Sequence, residues 1–194
     1  TTYGTVKNEP YKESIDKPSY SIKSVLSKQG SGEITLALAF SGGGIRAAAL
    51  AYGVLEELRD TTIKIDGRSH SLLDHIDLIS SVSGGSFTSA YYGLYGEKIF
   101  EDFETVFLRH DNEAQLIRGL LNPLRWFTRS GRTELVEKFY DDSLFHGASF
   151  TDLQRHNGPL ILINASDLAY GVRFFFTQEY FTLLCFFLSL FGKP

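Results

Sequence analysis

Residues 34–47 have the sequence ITLALAFSGGGIRA, in which an apolar run meets three consecutive glycines. Over 34–40, apolar side chains occupy both the odd-numbered and the even-numbered positions, which is typical of a strand in a sheet covered on both faces. After the glycines, apolar residues recur at helical spacing over 45–60. The sequence therefore predicts a strand, a glycine-rich turn and a helix in direct succession.

The alternation of strands and helices continues along the chain. We expect further strands at 76–82, 159–164 and 172–177, because each is a short apolar run bounded by turn residues. A helix is predicted at 87–95, and the region 96–153 is predicted to be mainly helical. This succession is typical of an α/β domain, in which helices pack on a sheet.

The chain is predicted to contain one domain preceded by an arm. Residues 1–32 are polar and interrupted by prolines and glycines, which predicts an N-terminal arm ahead of a domain at 33–194. A chain of 194 residues has the size of one domain or of a large part of one. The longest apolar run, 180–191, is shorter than the roughly 20 residues that a bilayer span needs, so no transmembrane segment is predicted.

The composition of the sequence argues against some classes of function. The sequence is 43% hydrophobic and 22% charged, as expected of a folded globular protein. Its net charge of −4 provides no strong attraction to nucleic acid, which is therefore not an expected partner. The single cysteine, Cys185, cannot form an internal disulfide, and no cluster with zinc-ligand spacing is present, so no metal is expected.

A candidate nucleophile follows the strand predicted at 76–82. An exposed serine at a sharp strand-to-helix turn needs small neighbours, and the nucleophile-elbow pattern places glycine two positions on either side of it. For Ser83, Gly85 satisfies the later position, whereas Ser81 replaces glycine at the earlier one. Taken alone, the motif fits equally a plain turn that ends a strand and opens a helix.

A second candidate group is the glycine turn at 42–44. It lies between a predicted strand and the start of a helix, where unpaired backbone N–H groups and the helix dipole favour an anion. The candidate donors to the oxyanion that forms in acyl transfer are Gly42, Gly43 and Gly44. Arg46 follows in the first helical turn, where it could contact a substrate phosphate or brace the loop through an ion pair.

The same glycines also fit a dinucleotide-binding fingerprint. Gly42, Gly44 and Ala47 have its spacing, and 63–66 would then be the second strand, with Asp66 as the ribose-binding acid. A dinucleotide site gives no reason for a glycine-flanked serine at the end of the next long apolar strand, whereas a hydrolase requires one. The two motifs together favour a hydrolase, because they place backbone donors and a nucleophile at neighbouring strand ends.

At these positions the chain resembles the patatin-like phospholipases and the related cytosolic phospholipase A2 catalytic domains. Residues 40–47 (FSGGGIRA) are similar to the family's oxyanion motif, 81–86 (SVSGGS) to its nucleophile motif and 164–168 (NASDL) to a later stretch. The resemblance implies a three-layer α/β/α fold with a mostly parallel sheet, and hydrolysis of fatty-acyl esters through an acyl-enzyme on Ser83. It also implies a Ser–Asp dyad, no cofactor or metal, a phospholipid or other fatty-acyl ester as substrate, and association with a membrane surface.

One part of the family pattern is missing. The family's dyad aspartate lies in an Asp-Gly-Gly or Asp-Gly-Ala turn downstream of the part that 164–177 resembles. The only Asp-Gly pair here, Asp66-Gly67, precedes the nucleophile, so we expect the domain to be incomplete at its C-terminus. Asp167 is the nearest carboxylate by topology and a candidate base, although aspartate readily caps its own turn.

Two alternatives concern the base. A catalytic triad would need a histidine, but none of the five lies on a predicted strand end that points to the site. We interpret them as surface or core side chains: His70, His75, His110, His146 and His156. A domain without a base would be a non-catalytic lipid-binding module, which is the main alternative to an enzyme.

Overall fold

The computed structural model describes residues 22, 34–109, 132–154, 158–168, 170–177 and 180. The strands are β1 (Leu36–Phe40), β2 (Thr62–Ile65), β3 (Arg68–Ser71), β4 (Ile76–Val82), β5 (Leu160–Ser166) and β6 (Arg173–Phe176). The α-helices are α1 (Gly44–Asp60), α2 (Gly84–Tyr95), α3 (Ile99–Phe103) and α4 (Arg132–Tyr140). Short 3-10 turns lie at Leu72–His75, Gly96–Lys98 and Phe150–Gln154, and π-helical turns at Glu104–Leu108 and Asp141–Phe145.

The central sheet has four strands in the order β1-β4-β5-β6. The β1–β4 and β4–β5 pairs are parallel, with Phe40 opposite Ser81 and Val82 opposite Asn164. Only β6 is antiparallel to its neighbour β5. The predicted α/β class with a mostly parallel sheet is therefore confirmed.

Helices α1 and α2 form a layer on one face of this sheet. A Cβ added to Gly93 of α2 would lie 2.6 Å from Cγ1 of Ile161, so α2 lies directly on β5. Helix α1 lies beside α2, because Thr88 Oγ1 donates to the Ala48 carbonyl at 2.9 Å. The side chains that α1 buries recur on one face of it: Ala48, Ala51, Tyr52 and Leu55.

The opposite face of the sheet is less covered by the residues that the structure describes. Ala37 and Ala39 of β1 are exposed, and Val82 of β4 is 40% exposed. The helical layer on the first face is observed, whereas the third layer of the predicted arrangement stays an expectation.

The predicted helical region 96–153 is helical over most of its described part, but the helices are short. Aromatic packing ties them to α2: the Phe87 ring lies 4.9 Å from the Phe107 ring and 4.6 Å from that of Tyr140, centroid to centroid. Phe103 lies between Tyr52 and Phe107, with ring centroids 6.0 Å and 5.2 Å from its own. Short turns are stable here because large rings supply buried area that their few hydrogen bonds do not.

The hairpin β2–β3 contradicts the dinucleotide interpretation. A dinucleotide fold needs 63–66 as a parallel strand in the main sheet, but β2 pairs only with β3, antiparallel, in a separate two-stranded sheet. Asp66 and Gly67 form the two-residue turn between them, with φ of 48° and 76°. Asp-Gly is favoured in such turns because both positions need a positive φ. The neighbour of β1 is β4, so Asp66 does not reach the edge where a ribose would lie.

Some predictions fall outside the described residues. The predicted arm 1–32 does so except for Ile22, and the apolar run 180–191 does so except for Tyr180. Across the part of the chain that is described, no helix combines the length and apolar character needed to cross a bilayer.

Candidate active site

Ser83 occupies a strained strand-to-helix turn. It follows the last residue of β4 and precedes the first residue of α2, with φ 52° and ψ −122°. This conformation is rare for a residue with a Cβ and costs of order 1–3 kcal/mol, which the surrounding packing must offset. The serine is exposed at the carboxyl edge of the parallel strands. These features match the elbow geometry that the sequence predicts for a nucleophile.

Two glycines after Ser83 allow α2 to start this close to the glycine turn. A Cβ added to Gly84 would overlap the Gly44 carbonyl oxygen and lie 2.9 Å from the Gly44 nitrogen. A Cβ added to Gly85 would lie 2.7 Å from the Ser41 carbonyl oxygen. The first turn of α2 therefore rests on the backbone of the loop that follows β1, and only glycine fits there.

Ser81, which replaces the glycine of the elbow pattern, is accommodated in the core. Its side chain is 2% exposed, and its Oγ lies 2.6 Å from Ser89 Oγ. Ser89 Oγ also donates to the Ser86 carbonyl at 3.2 Å, so the hydroxyl pair is linked to the α2 backbone. A buried hydroxyl is tolerated when it has such a partner. The departure from the pattern thus leaves the exposed face of the turn unchanged.

Asn164 fixes the strand that carries Ser83. Its Nδ2 donates to Ser80 Oγ at 3.0 Å and to the Ser81 carbonyl at 2.8 Å. Because Asn164 pairs with Val82 in the β4–β5 register, these bonds join the two strands immediately below the elbow. The sequence contains this residue in the NASDL segment, but its spacing alone gives no sign of the cross-strand role.

The glycine turn lies against the serine. A Cβ added to Gly42 would lie 3.2 Å from Ser83 Cβ, which is tighter than ordinary van der Waals contact. Gly43 and Gly44 have φ of 138° and 65°, values that favour glycine. The structure thus brings together Gly42, Gly43, Gly44 and Ser83, the residues of the two sequence motifs.

Two helix N-termini converge at this point. Helix α1 begins at Gly44 and α2 at Gly84, and neither has an acidic residue in its first turn or a capping side chain. The first N–H groups of both helices lack partners within their helix, and both dipoles direct positive potential toward the same place. Beside Ser83 this arrangement suits a developing anion.

Arg46 is exposed in the first turn of α1. No carboxylate of the described ranges lies within 4.0 Å of its guanidinium, in contrast to Arg59 and Arg109, which form ion pairs. The loop-bracing ion pair that the sequence allows is therefore not seen among these residues.

Asp167 caps its own turn. Its Oδ1 accepts the Tyr170 N–H at 3.1 Å, and its backbone N–H donates to the Val172 carbonyl at 2.8 Å. Ser83 Oγ and the Asp167 carboxylate are not hydrogen-bonded to one another. Of the two roles that the sequence allows for Asp167, the capping role is observed.

The described histidines lie away from Ser83. The rings of His70 and His75 are 5.6 Å apart, beside the residue that begins β4, at the opposite end of that strand from the serine. His146 follows Phe145, whose carbonyl accepts from Tyr95 Oη at 3.3 Å, so it lies at the C-terminal end of α2, at the opposite end of that helix from Ser83. His110 and His156 lie outside the described residues. Among side chains with assigned positions, no group of three His, Cys, Asp or Glu could hold a metal ion.

Comparison with known proteins identifies the family. The family model for patatin-like phospholipases matches residues 38–180, which include the glycine turn, the elbow and the NASDL segment. No curated protein and no solved structure matches the chain significantly. The family match covers most of the chain and agrees with the α/β architecture and the position of both motifs. The chain therefore belongs to the patatin-like phospholipases, a family of lipid acyl hydrolases.

Proposed function

We propose that this protein is a serine lipid acyl hydrolase that cleaves fatty-acyl esters through an acyl-enzyme on Ser83. The observation that carries the proposal is the exposed, strained Ser83 at the point where the N-termini of α1 and α2 converge. Ser83 Oγ attacks the acyl carbonyl carbon and loses its proton, the ester C–O bond breaks, and the alcohol portion of the lipid leaves with a proton on its oxygen. Water then hydrolyses the acyl-enzyme and releases the fatty acid.

The tetrahedral intermediate requires donors for its negative oxygen. Backbone N–H groups of the turn at Gly43 and Gly44 suit this role because they belong to the unpaired start of α1, against Ser83. The N–H of Gly84, directly after the nucleophile, is a further donor in this proposal, as in other serine-elbow enzymes. Gly42 contributes by leaving room beside Ser83 rather than by charge.

The substrate in this proposal is a phospholipid or another fatty-acyl ester. Arg46 is exposed near the loop and free of an ion pair to any described carboxylate, so it suits a phosphate in the lipid headgroup. A neutral lipid has no anionic group that could bind the Arg46 guanidinium. Comparing a phospholipid with a triacylglycerol in wild type and Arg46→Gln separates the two substrate types.

A first test is the site of labelling by a fluorophosphonate probe. We expect the peptide that contains Ser83 to be labelled, because this serine combines exposure with nearby oxyanion donors. Labelling should quicken from neutral to alkaline pH, since hydroxide can then replace a protein base. Mass spectrometry of the digest locates the label, and attachment at Ser86 or Ser80 would contradict the assignment.

A second test concerns the candidate base, Asp167. We expect Asp167→Asn to change labelling and turnover little, because the carboxylate already caps its turn and the Asn oxygen can still accept the Tyr170 N–H. Asp66→Asn is the matched control, since Asn-Gly suits a two-residue hairpin as well as Asp-Gly does. The rate of ester hydrolysis is measured for both variants. A loss of about 10²–10⁴-fold in Asp167→Asn alone would instead identify it as the general base.

A second candidate function is a non-catalytic lipid-binding domain. The observation that favours it is that Ser83 Oγ has no hydrogen-bond partner in the part of the chain that the structure covers. This function predicts lipid binding without covalent labelling of Ser83 at neutral pH and without ester turnover. The labelling experiment therefore discriminates the two.

A further inference from the structure

The connection between β5 and β6 carries an exposed apolar surface. Leu168 is 98% exposed, Tyr170 82% and Val172 51%. A single exposed leucine needs no explanation, but a cluster of large apolar side chains in one short turn marks an interaction surface. We call these three residues the apolar turn.

The apolar turn is held in shape by backbone hydrogen bonds. The Asp167 N–H donates to the Val172 carbonyl at 2.8 Å, and the Gly171 N–H donates to the Asp167 carbonyl at 2.9 Å. Gly171 has φ 66°, which permits the chain to reverse. The local bonds fix the backbone, so the outward apolar side chains are not required to stabilise the turn.

The apolar turn lies at the same sheet edge as Ser83. Strands β4 and β5 are parallel neighbours, spaced about 5 Å apart. Strand β4 ends at Val82, opposite Asn164, and β5 continues to Ser166, so the apolar turn leaves the same edge of the sheet two residues beyond the elbow. Two further exposed apolar side chains flank the elbow: Val82 at 40% and Ile45 at 41%. The apolar surface thus adjoins the opening to the serine.

Basic side chains accompany this surface. Arg173 directly follows the apolar turn; it is exposed, and its guanidinium lies 4.5 Å from the centre of the Phe175 ring. Like Arg46 at the same edge, it has no ion pair with a carboxylate of the described residues. Exposed apolar tips combined with unpaired cations suit an interface of acyl chains and anionic headgroups.

We propose that the apolar turn docks the protein on a phospholipid surface that carries anionic headgroups. Leu168 and Tyr170 enter the boundary between headgroups and acyl chains, and Arg173 contacts lipid phosphates. Docking at this edge places the opening of the elbow against the layer that contains the substrate. The purpose of docking rests on the proposed function. Binding to the lipid surface itself requires no reaction at Ser83.

The test is binding to phospholipid vesicles in a Ser83→Ala background, so that hydrolysis cannot alter the vesicles. We expect Leu168→Ser/Tyr170→Ser to lower the vesicle partition coefficient by roughly tenfold or more, because burial of each side chain favours binding. Arg173→Gln should lower it about fivefold on phosphatidylcholine vesicles containing phosphatidylglycerol, and little on phosphatidylcholine alone. Leu50→Ser is the matched control, because Leu50 is 68% exposed on α1, outside the apolar turn.

The other results would overturn the proposal. Unchanged partition of the double variant, or an equal loss in Leu50→Ser, would show that the apolar turn does not bind lipid. A lower melting temperature in the double variant would mean that another part of the protein covers the turn. A dimer seen in sedimentation that the variant abolishes would mean that a second copy covers it. Failure of the proposed function is distinguishable: Ser83 would stay unlabelled while vesicle binding persisted.

Discussion

Ser83→Ala is expected to abolish covalent labelling by a fluorophosphonate probe and to lower turnover of a p-nitrophenyl fatty-acyl ester, by about 10⁴-fold or more when a general base assists the serine. In other serine hydrolases the loss of the nucleophile removes nearly all catalysis and leaves only what the oxyanion donors and substrate binding provide. The folded state should be preserved, because Ser83 is exposed and its Oγ has no hydrogen bond to another described residue. Initial rates and the melting temperature measure the two effects separately.

The matched control is Ser86→Ala, three residues along the same helix. Ser86 Oγ is buried without a hydrogen-bond partner among the described atoms, so its removal leaves no new unsatisfied group. The backbone bond from the Ser86 N–H to the Ser83 carbonyl, at 2.9 Å, is retained. We expect turnover close to that of the unmodified chain. If Ser86→Ala loses as much as Ser83→Ala, the nucleophile has been misassigned.

A second substitution at the same position tests the strain. At φ 52° and ψ −122°, a glycine avoids most of the steric cost that serine or alanine meets. Ser83→Gly should therefore melt at a higher temperature than Ser83→Ala, although both lack the nucleophile. Equal melting temperatures would mean that the turn stores no strain at Ser83. A higher melting temperature for Ser83→Gly would indicate that the serine lowers stability at a position where activity requires it.

The regular elements were predictable because their signals are local. Strand β4 was predicted at 76–82 and is observed at Ile76–Val82, since an apolar run bounded by turn residues defines it. The sequence predicts that helix α2 starts at 87, but the helix begins at Gly84. Glycine is a poor helix former, so propensity alone places the start too late. Contact of Gly84 and Gly85 with the neighbouring loop outweighs that preference.

The sequence signal for the hairpin β2–β3 is local, and it conflicts with the dinucleotide interpretation of 63–66. Asp66-Gly67 lies between two short runs that pair residue for residue, from Thr62 with Ser71 to Ile65 with Arg68. Asp-Gly between such runs is a strong hairpin signal, because both residues tolerate a positive φ. A hairpin at these residues excludes 63–66 from the parallel sheet that a dinucleotide site requires.

The geometry of the candidate site could not be predicted in the same way. The contact between Gly42 and Ser83, the Ser81–Ser89 hydroxyl pair and the Asn164 bonds to β4 join residues that come together only through the fold. The sequence indicates which residue types are present, whereas long-range packing determines which of them touch. Asp167 illustrates the limit, because its position after β5 makes it a candidate base, although aspartate readily caps its own turn.

The Gly84→Ala substitution is expected to have the second-largest effect, on stability and turnover together. The added methyl would overlap the Gly44 carbonyl oxygen, which belongs to the backbone and cannot rotate away. Overpacking of this kind costs typically about 1–3 kcal/mol. For a chain of this size the loss corresponds to a fall in melting temperature of roughly 2–12 °C. Moving α2 away from the glycine turn would also displace an oxyanion donor, which lowers kcat by about 10²–10³-fold.

The corresponding substitution at Gly53 is expected to raise the stability of the protein. Gly53 lies within α1 and is exposed, and a Cβ added there meets no atom within 4 Å. Replacing a helical glycine by alanine typically stabilises a protein by roughly 0.5–1 kcal/mol, so Gly53→Ala should melt higher and keep its turnover. Thermal melts and ester hydrolysis of the two variants therefore separate a general effect of alanine from the contact between α2 and the loop. If Gly84→Ala were as stable and active as the parent, Gly84 could not pack against Gly44, and the oxyanion donors proposed for this site would lose their geometric basis.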